Sequence, residues 1–214
     1  MNWVDGLLII LLLAAVIIGS KKGLIRELTA TVVVFASVVL SVQYIDRFAV
    51  WMYDNIGGSP LVSAFLSFIV LLAATYAAFK LLGILFYKIA DIKTSKRRDQ
   101  MGGALVGFVR GWLAIGFLTF LVFLLPLPDS FYEDFNSSFF GPTVAKTVPL
   151  IYDGTSVIHP NSPNFMEKIE NTLLTEPERT NSGKKMLTEE RTELHRVMYQ
   201  IDRFFNTETV SGGV

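Results

Sequence analysis

Four apolar runs, each close to the thickness of a bilayer, fill the first 125 positions: Trp3–Ile18, Leu24–Val42, Leu61–Phe86 and Gly102–Leu125. A helix of about 20 apolar residues crosses a hydrocarbon core. No water is present there, so every backbone N–H and C=O must be paired within the chain, and the runs must be helices. Pro60 opens the third run and Pro126 follows the fourth, where proline is tolerated. Four such runs leave too little polar face for a soluble helical domain. The expected fold class is therefore all-α: a four-helix transmembrane bundle (1–128), an interfacial segment (129–160), and a polar C-terminal tail with amphipathic helices (161–214).

The first run reads as a retained helix rather than a cleaved leader. Its N-terminal flank, "MNWVDG", has no positive charge, and "GSKKG" follows in place of a small-residue cleavage site. A secretory leader has the opposite polarity.

Lys and Arg in short loops set orientation. Lys21 and Lys22 follow the first run. Lys88, Lys93, Lys96, Arg97 and Arg98 lie between the third and fourth. The second loop, "SVQYIDRFAVWMYDNIGGSP", has only Arg47, beside Asp46 and Asp54, and the fourth run is followed by Asp129, Glu133 and Asp134. The two basic loops are thus expected in the cytoplasm. Both termini then face the periplasm of a bacterial inner membrane. The chain reads as two hairpins of the same orientation.

Charges inside membrane helices are expensive, at roughly 2.5–3.5 kcal/mol each on insertion scales, and turn toward a partner or water. Asp5, Arg26, Glu27 and Arg110 are the candidates for such a polar cluster. Arg110 lies about 12 Å inside Gly102 at 1.5 Å per residue, and Glu27 enters from the same side. A long guanidinium can reach that carboxylate in a bidentate pair. Glu27–Arg110 is the expected pair. It reads either as a device that registers the second helix on the fourth or as part of a polar path. Asp5 is placed to cap the first helix.

Gly103, Gly107 and Gly111 recur every fourth residue. Such a ridge lets another backbone approach closely. The partner helix could belong to this chain, to a second copy, or to another membrane protein.

Beyond Leu125, Asn136–Ile151 spaces Phe140, Val144 and Val148 four apart, as an interfacial amphipathic helix would. Ser162 and Pro163 suit the start of a helix to about Thr175. Glu176–Lys185 reads as a linker. Leu187–Phe205 carries a helical stripe of Leu194, Val197, Met198, Ile201 and Phe205 that must pack on something. "TETVSGGV" reads as a tail.

Little suggests catalysis. The chain has no Cys, hence no disulfide, thiolate nucleophile or Cys-based metal site. His159 and His195 stand apart from any zinc-ligand spacing, no Ser sits in a nucleophile elbow, and no phosphate-cradling loop is present. No catalytic, metal or cofactor residue is expected. Nineteen basic residues balance nineteen acidic ones, which argues against attraction to nucleic acid. The expected surroundings are the lipid bilayer and a membrane-protein partner or second copy docked through the glycine ridge.

Three segments carry a family resemblance: "NWVDGLLIILLL", "GSKKGLIREL" and "RRDQMGGALVGFVRGWL". They resemble the colicin V production (CvpA) family over roughly residues 1–150, with "NSSFFGPTVAKTVP" similar to the segment after its fourth helix. By that resemblance Asp5, Gly19, Gly23, Arg26, Glu27, Asp99, Gly103, Gly107, Arg110 and Gly111 occupy characteristic positions, with no catalytic role attached. It implies a bacterial inner-membrane protein needed for production or export of a toxin. The function expected is an accessory or assembly role in export and envelope homeostasis. The alternative is a small transporter or channel subunit with a Glu27/Arg110 polar path.

Overall fold

A computed structural model describes residues 2–89, 96–174 and 188–207, and among them there is helix but no strand. Four long helices come first: α1 (Trp3–Lys22), α2 (Leu24–Ile56), α3 (Pro60–Ile89) and α4 (Lys96–Phe123). Each is long and apolar enough to cross a membrane. Among the described residues five shorter ones follow: α5 (Asp129–Ser137), α6 (Gly141–Ala145), α7 (Thr147–Gly154), α8 (Phe165–Leu174) and α9 (Thr188–Phe205). Lys93, the proposed linker 176–185, Leu187 and residues 208–214 of the proposed tail lie outside the described residues.

The long helices pack in the order α1–α4–α2–α3. Consecutive helices α1 and α2 are joined by Gly23 alone, yet they touch each other little, because α4 is wedged between them. The two expected hairpins are therefore interleaved rather than side by side. Lys21, Lys22 and the start of α4 mark one end of this layer, the basic end.

The expected second loop is mostly helix. α2 runs on to Ile56, burying Val42, Ile45, Ala49, Met52 and Tyr53 on one stripe. Nothing before Gly57 breaks it. Asp46, Arg47 and Asp54 mark where the apolar span ends, not where the helix ends. At 33 residues α2 is about 50 Å long, well beyond a hydrocarbon core of about 30 Å. Gly57, at φ 77°, then ends the helix, its N–H bonded to the Tyr53 carbonyl.

Helices α5–α9 cover the other end of the layer as a roof. Phe123 is fully buried at its centre, with ring centroids 4.9 Å from Phe135, 5.3 Å from Phe204 and 5.2 Å from Phe205. The stripe on α9 packs here: Leu194, Val197, Ile201, Phe204 and Phe205 are buried. Its target is thus the end of α4 rather than a lipid surface. The single helix expected over Asn136–Ile151 is split into the end of α5, a turn, α6 and α7. Val144 and Val148 are buried as their spacing implies, but Phe140 precedes the helices. The start of α8 also differs. Asn164 Oδ1 accepts from Glu167 N at 2.8 Å, and Asp153 Oδ1 accepts from Phe165 N at 2.8 Å. Ser162 instead receives a hydrogen bond from Gln43.

Candidate functional site

The glycine ridge of α4 meets a second small-residue ridge on α1, formed by Ala15, Gly19 and Gly23. The register is antiparallel: Gly111 against Ala15, Gly107 against Gly19, Gly103 against Gly23. A Cβ built on Gly107 would sit 2.8 Å from the Ala15 carbonyl and 2.9 Å from Gly19 Cα; one on Gly103 would sit 2.5 Å from the Gly19 carbonyl. Backbones this close leave no room for side chains, and gain dispersion and Cα–H contacts along their length. The ridge therefore packs within this chain. A partner or second copy cannot use that face while α1 occupies it.

The same contact shapes the α1–α2 junction. Gly23 adopts φ 86°, a left-handed conformation open to glycine. A side chain there would also collide with the Asp99 carboxylate. Having no side chain, Gly23 cannot cap α2. Asp99 does so from α4, its Oδ1 accepting from Leu24 N at 2.8 Å. A carboxylate at a helix N-terminus also suits the dipole.

One turn into α2, the carboxylate of Glu27 is completely buried. Arg110 Nε lies 2.7 Å from Glu27 Oε1, with the arginine side chain 16% exposed. The contact runs through Nε rather than as the expected bidentate fork. It also lies off the N–H axis, so Oε1 has no well-aligned hydrogen bond and Oε2 has no hydrogen-bond partner. Charge, more than hydrogen bonding, holds the pair. Arg110 lines the edge of an open groove of about 350 Å³ between α1, α2 and α4, with Leu11, Ala14, Ile18 and Val34 around it. A second, largely apolar groove of about 400 Å³ lies between α2, α3 and α4.

The other two charges of the proposed cluster are elsewhere. Arg26 is exposed and makes no ion pair among the described residues. Asp5 is buried at the roof end of α1, far from Glu27. There it closes a capping box with Asn2 and accepts from Ser138 Oγ at 2.7 Å and Phe140 N at 3.1 Å. Asn2, not Asp5, is the N-cap. Lys21, Lys22 and Arg98 are exposed at the basic end, where Lys96 and Arg97 open α4.

Several residues that fasten the roof were not singled out from the sequence. Tyr152 O–H donates to Gln43 Oε1 at 2.7 Å, and Gln43 Nε2 donates to Ser162 Oγ at 2.6 Å. Lys168, almost fully buried, pairs with Asp46 at 3.0 Å. The available sign was the continuation of the apolar stripe through Gln43 and Asp46 to Tyr53, which a bilayer-length reading of α2 cuts off.

A family profile described as colicin V production protein matches residues 4–149, more than half of the chain. The chain belongs to the colicin V production protein family. This is the family that the three quoted segments resemble, and with four helices apolar enough to cross a bilayer the chain is a membrane protein of that family. The match begins in the first turn of α1 and ends early in α7. It contains both glycine ridges, the Glu27–Arg110 pair and the Asp5–Ser138 bond. Helices α8 and α9 lie beyond it, yet supply Phe165, Ile169, Phe204 and Phe205 to the same core. No match to a curated protein or to a solved structure was found. Among the described residues, no three His, Cys, Asp or Glu side chains converge as a metal site would need.

Proposed function

We propose that this protein is a non-enzymatic accessory of the bacterial inner membrane that serves toxin export and envelope homeostasis by docking another membrane component. The observation that favours this is the joining of a tightly locked helix layer to a folded roof: α4 is clamped by α1 through opposed glycines and carries the roof core on Phe123. Such a molecule presents a fixed shape on both sides of one membrane boundary. The partner would meet a face other than the glycine ridge. The basic end lies in the cytoplasm, the side that Lys and Arg favour, and the roof end of the layer and both termini face the periplasm.

Cross-linking in native membranes, followed by mild detergent extraction and mass spectrometry, tests the docking. A stable heterologous partner is expected, and recovery of the protein alone or as self-oligomers sinks the reading. A C-terminal reporter active only in the periplasm tests the orientation, with cytoplasmic activity as the contrary result.

One observation favours a second reading, a transporter or channel subunit. Glu27 Oε2 is buried without a hydrogen-bond partner, and Arg110 edges an open groove. Ion or solute flux through the purified protein in liposomes, lost in Glu27→Gln, would favour this reading over docking.

A further inference from the structure

The chain after α5 does not stay level with the end of α4. Trp112 Nε1 donates to Thr147 Oγ1 at 2.9 Å. A Cβ built on Gly116 would sit 2.7 Å from Thr147 Cβ and 3.2 Å from the Val144 carbonyl. Gly116 lies seven residues inside the Phe123 end of α4, and Trp112 eleven, or about 10 Å and 16 Å. The junction of α6 and α7 thus lies beside the apolar span of α4, Arg98–Phe123. Gly116, which belongs to neither ridge, makes the room.

The large side chains this segment turns outward are apolar, with the small hydroxyls of Thr143 and Ser156 exposed among them. Phe139 is 76% exposed, Leu150 59%, Val157 88% and Ile158 76%. Between positions 139 and 158 the charged residues are Lys146, whose long apolar stem lets its ammonium rise to head groups, and Asp153, whose Oδ1 accepts from Phe165 N at 2.8 Å. Rings continue the surface without a break: Phe108, exposed on the span of α4, lies 6.0 Å from Trp112, Trp112 lies 6.4 Å from Phe140, and Phe140 lies 5.0 Å from Phe139. In hydrocarbon, backbone outside a long helix survives only where its polar groups are satisfied. Here Phe140 N is bonded to Asp5, Gly141 N to Ser138 Oγ, Val144 N to the Phe140 carbonyl and Leu150 N to the Lys146 carbonyl.

We propose that residues 139–158 form a re-entrant segment, with Phe139, Leu150, Val157 and Ile158 seated among the acyl chains of the roof-side leaflet. This rests on the reading that α1–α4 cross the membrane. The occupant is lipid, because Phe139 continues through Phe140 and Trp112 to Phe108, exposed on the apolar span of α4. Asp5 then acts as the tether that holds the dip against α1.

The absence of cysteine makes the test direct. Phe139→Cys, Leu150→Cys and Ile158→Cys are each spin-labelled and the full chain is reconstituted in phospholipid vesicles. Leu105→Cys, exposed on α4, is the lipid control, and Asp202→Cys, exposed on α9, is the water control. Collision with oxygen and with a water-soluble nickel chelate reports depth. The three sites are expected to match Leu105→Cys, with at least a several-fold lower nickel accessibility than Asp202→Cys. Nickel accessibility equal to that of Asp202→Cys overturns the re-entrant assignment while leaving the spans intact. If Leu105→Cys itself reads as water-exposed, the spanning reading fails. Unchanged melting of the labelled variants in detergent shows that the fold is retained.

Discussion

Asp99 Oδ1 accepts a hydrogen bond from Leu24 N at 2.8 Å, so the first carboxylate of α4 caps the helix packed beside it. One contact joins three helices, since Leu24 follows the single residue that connects α1 to α2. Replacing an N-cap side chain by alanine costs about 0.5–2 kcal/mol. Asp99→Ala should therefore lower the melting temperature of the detergent-purified protein. Asp99→Asn keeps an acceptor oxygen and should lose less. Equal losses would mean that charge, not the hydrogen bond, secures the junction.

The opposed ridges predict a sharp contrast among glycine-to-alanine substitutions. Gly107→Ala places a methyl 2.8 Å from the Ala15 carbonyl, so α1 and α4 must separate along their contact. Overpacking of this kind costs about 1–3 kcal/mol. Gly6→Ala meets nothing within 4 Å and removes a flexible residue from a helix interior, for a gain of about 0.5–1 kcal/mol. Thermal unfolding of the two variants should move in opposite directions. A shared direction would contradict the close approach of the ridges.

For Glu27 and Arg110 the expected result is a coupling. The carboxylate is completely buried. Removing one partner from a buried pair typically costs 3–5 kcal/mol, roughly, because the other charge is stranded. Glu27→Gln and Arg110→Gln should each destabilise strongly, and the double variant by much less than their sum. Additive losses in a double-mutant cycle would mean that the residues are neighbours without being a pair. Comparing the charge-swapped double variant with the single reversals, in a complementation assay, asks separately whether the pair serves only registration.

The membrane helices were legible because the spans are chemically uniform, so run length alone locates them. The Glu27–Arg110 contact was legible because few partners exist for a charge among apolar residues. The packing order was not. Nothing local to Gly23 states that α4 will lie between α1 and α2; that follows from Ala15, Gly19 and Gly23 matching Gly111, Gly107 and Gly103, a relation between distant segments. Asp5 and Glu27 read as one cluster because both are acids in apolar runs, yet they sit at opposite ends of the layer. The end of α2 was misread for a different reason. Asp46 and Arg47 look like a loop in a bilayer-length window, whereas Ile45, Ala49 and Met52 continue the buried stripe and Asp46 is held by Lys168.

The C-terminal helix offers the last test, because a loosely attached tail and an integral roof predict different melts. Phe205 is fully buried, with ring centroids 5.5 Å from Phe120 and 5.2 Å from Phe123. Truncating a buried phenylalanine to alanine costs about 3–5 kcal/mol through lost contacts and the cavity left behind. Since Phe120 and Phe123 belong to α4, Phe205→Ala should destabilise the helix layer as well as α9. Tyr199→Ala, on the exposed face of α9 at 65% exposure, should change stability by no more than about 0.5 kcal/mol. The readout is the denaturation of tryptophan fluorescence in a Trp3→Phe, Trp51→Phe background, where Trp112 alone reports from the span of α4 while Phe205 lies in the roof. A lowered midpoint in Phe205→Ala alone ties the roof to the layer as one cooperative unit. An unchanged midpoint would make α9 an appendage whose contacts with Phe120 and Phe123 carry no weight.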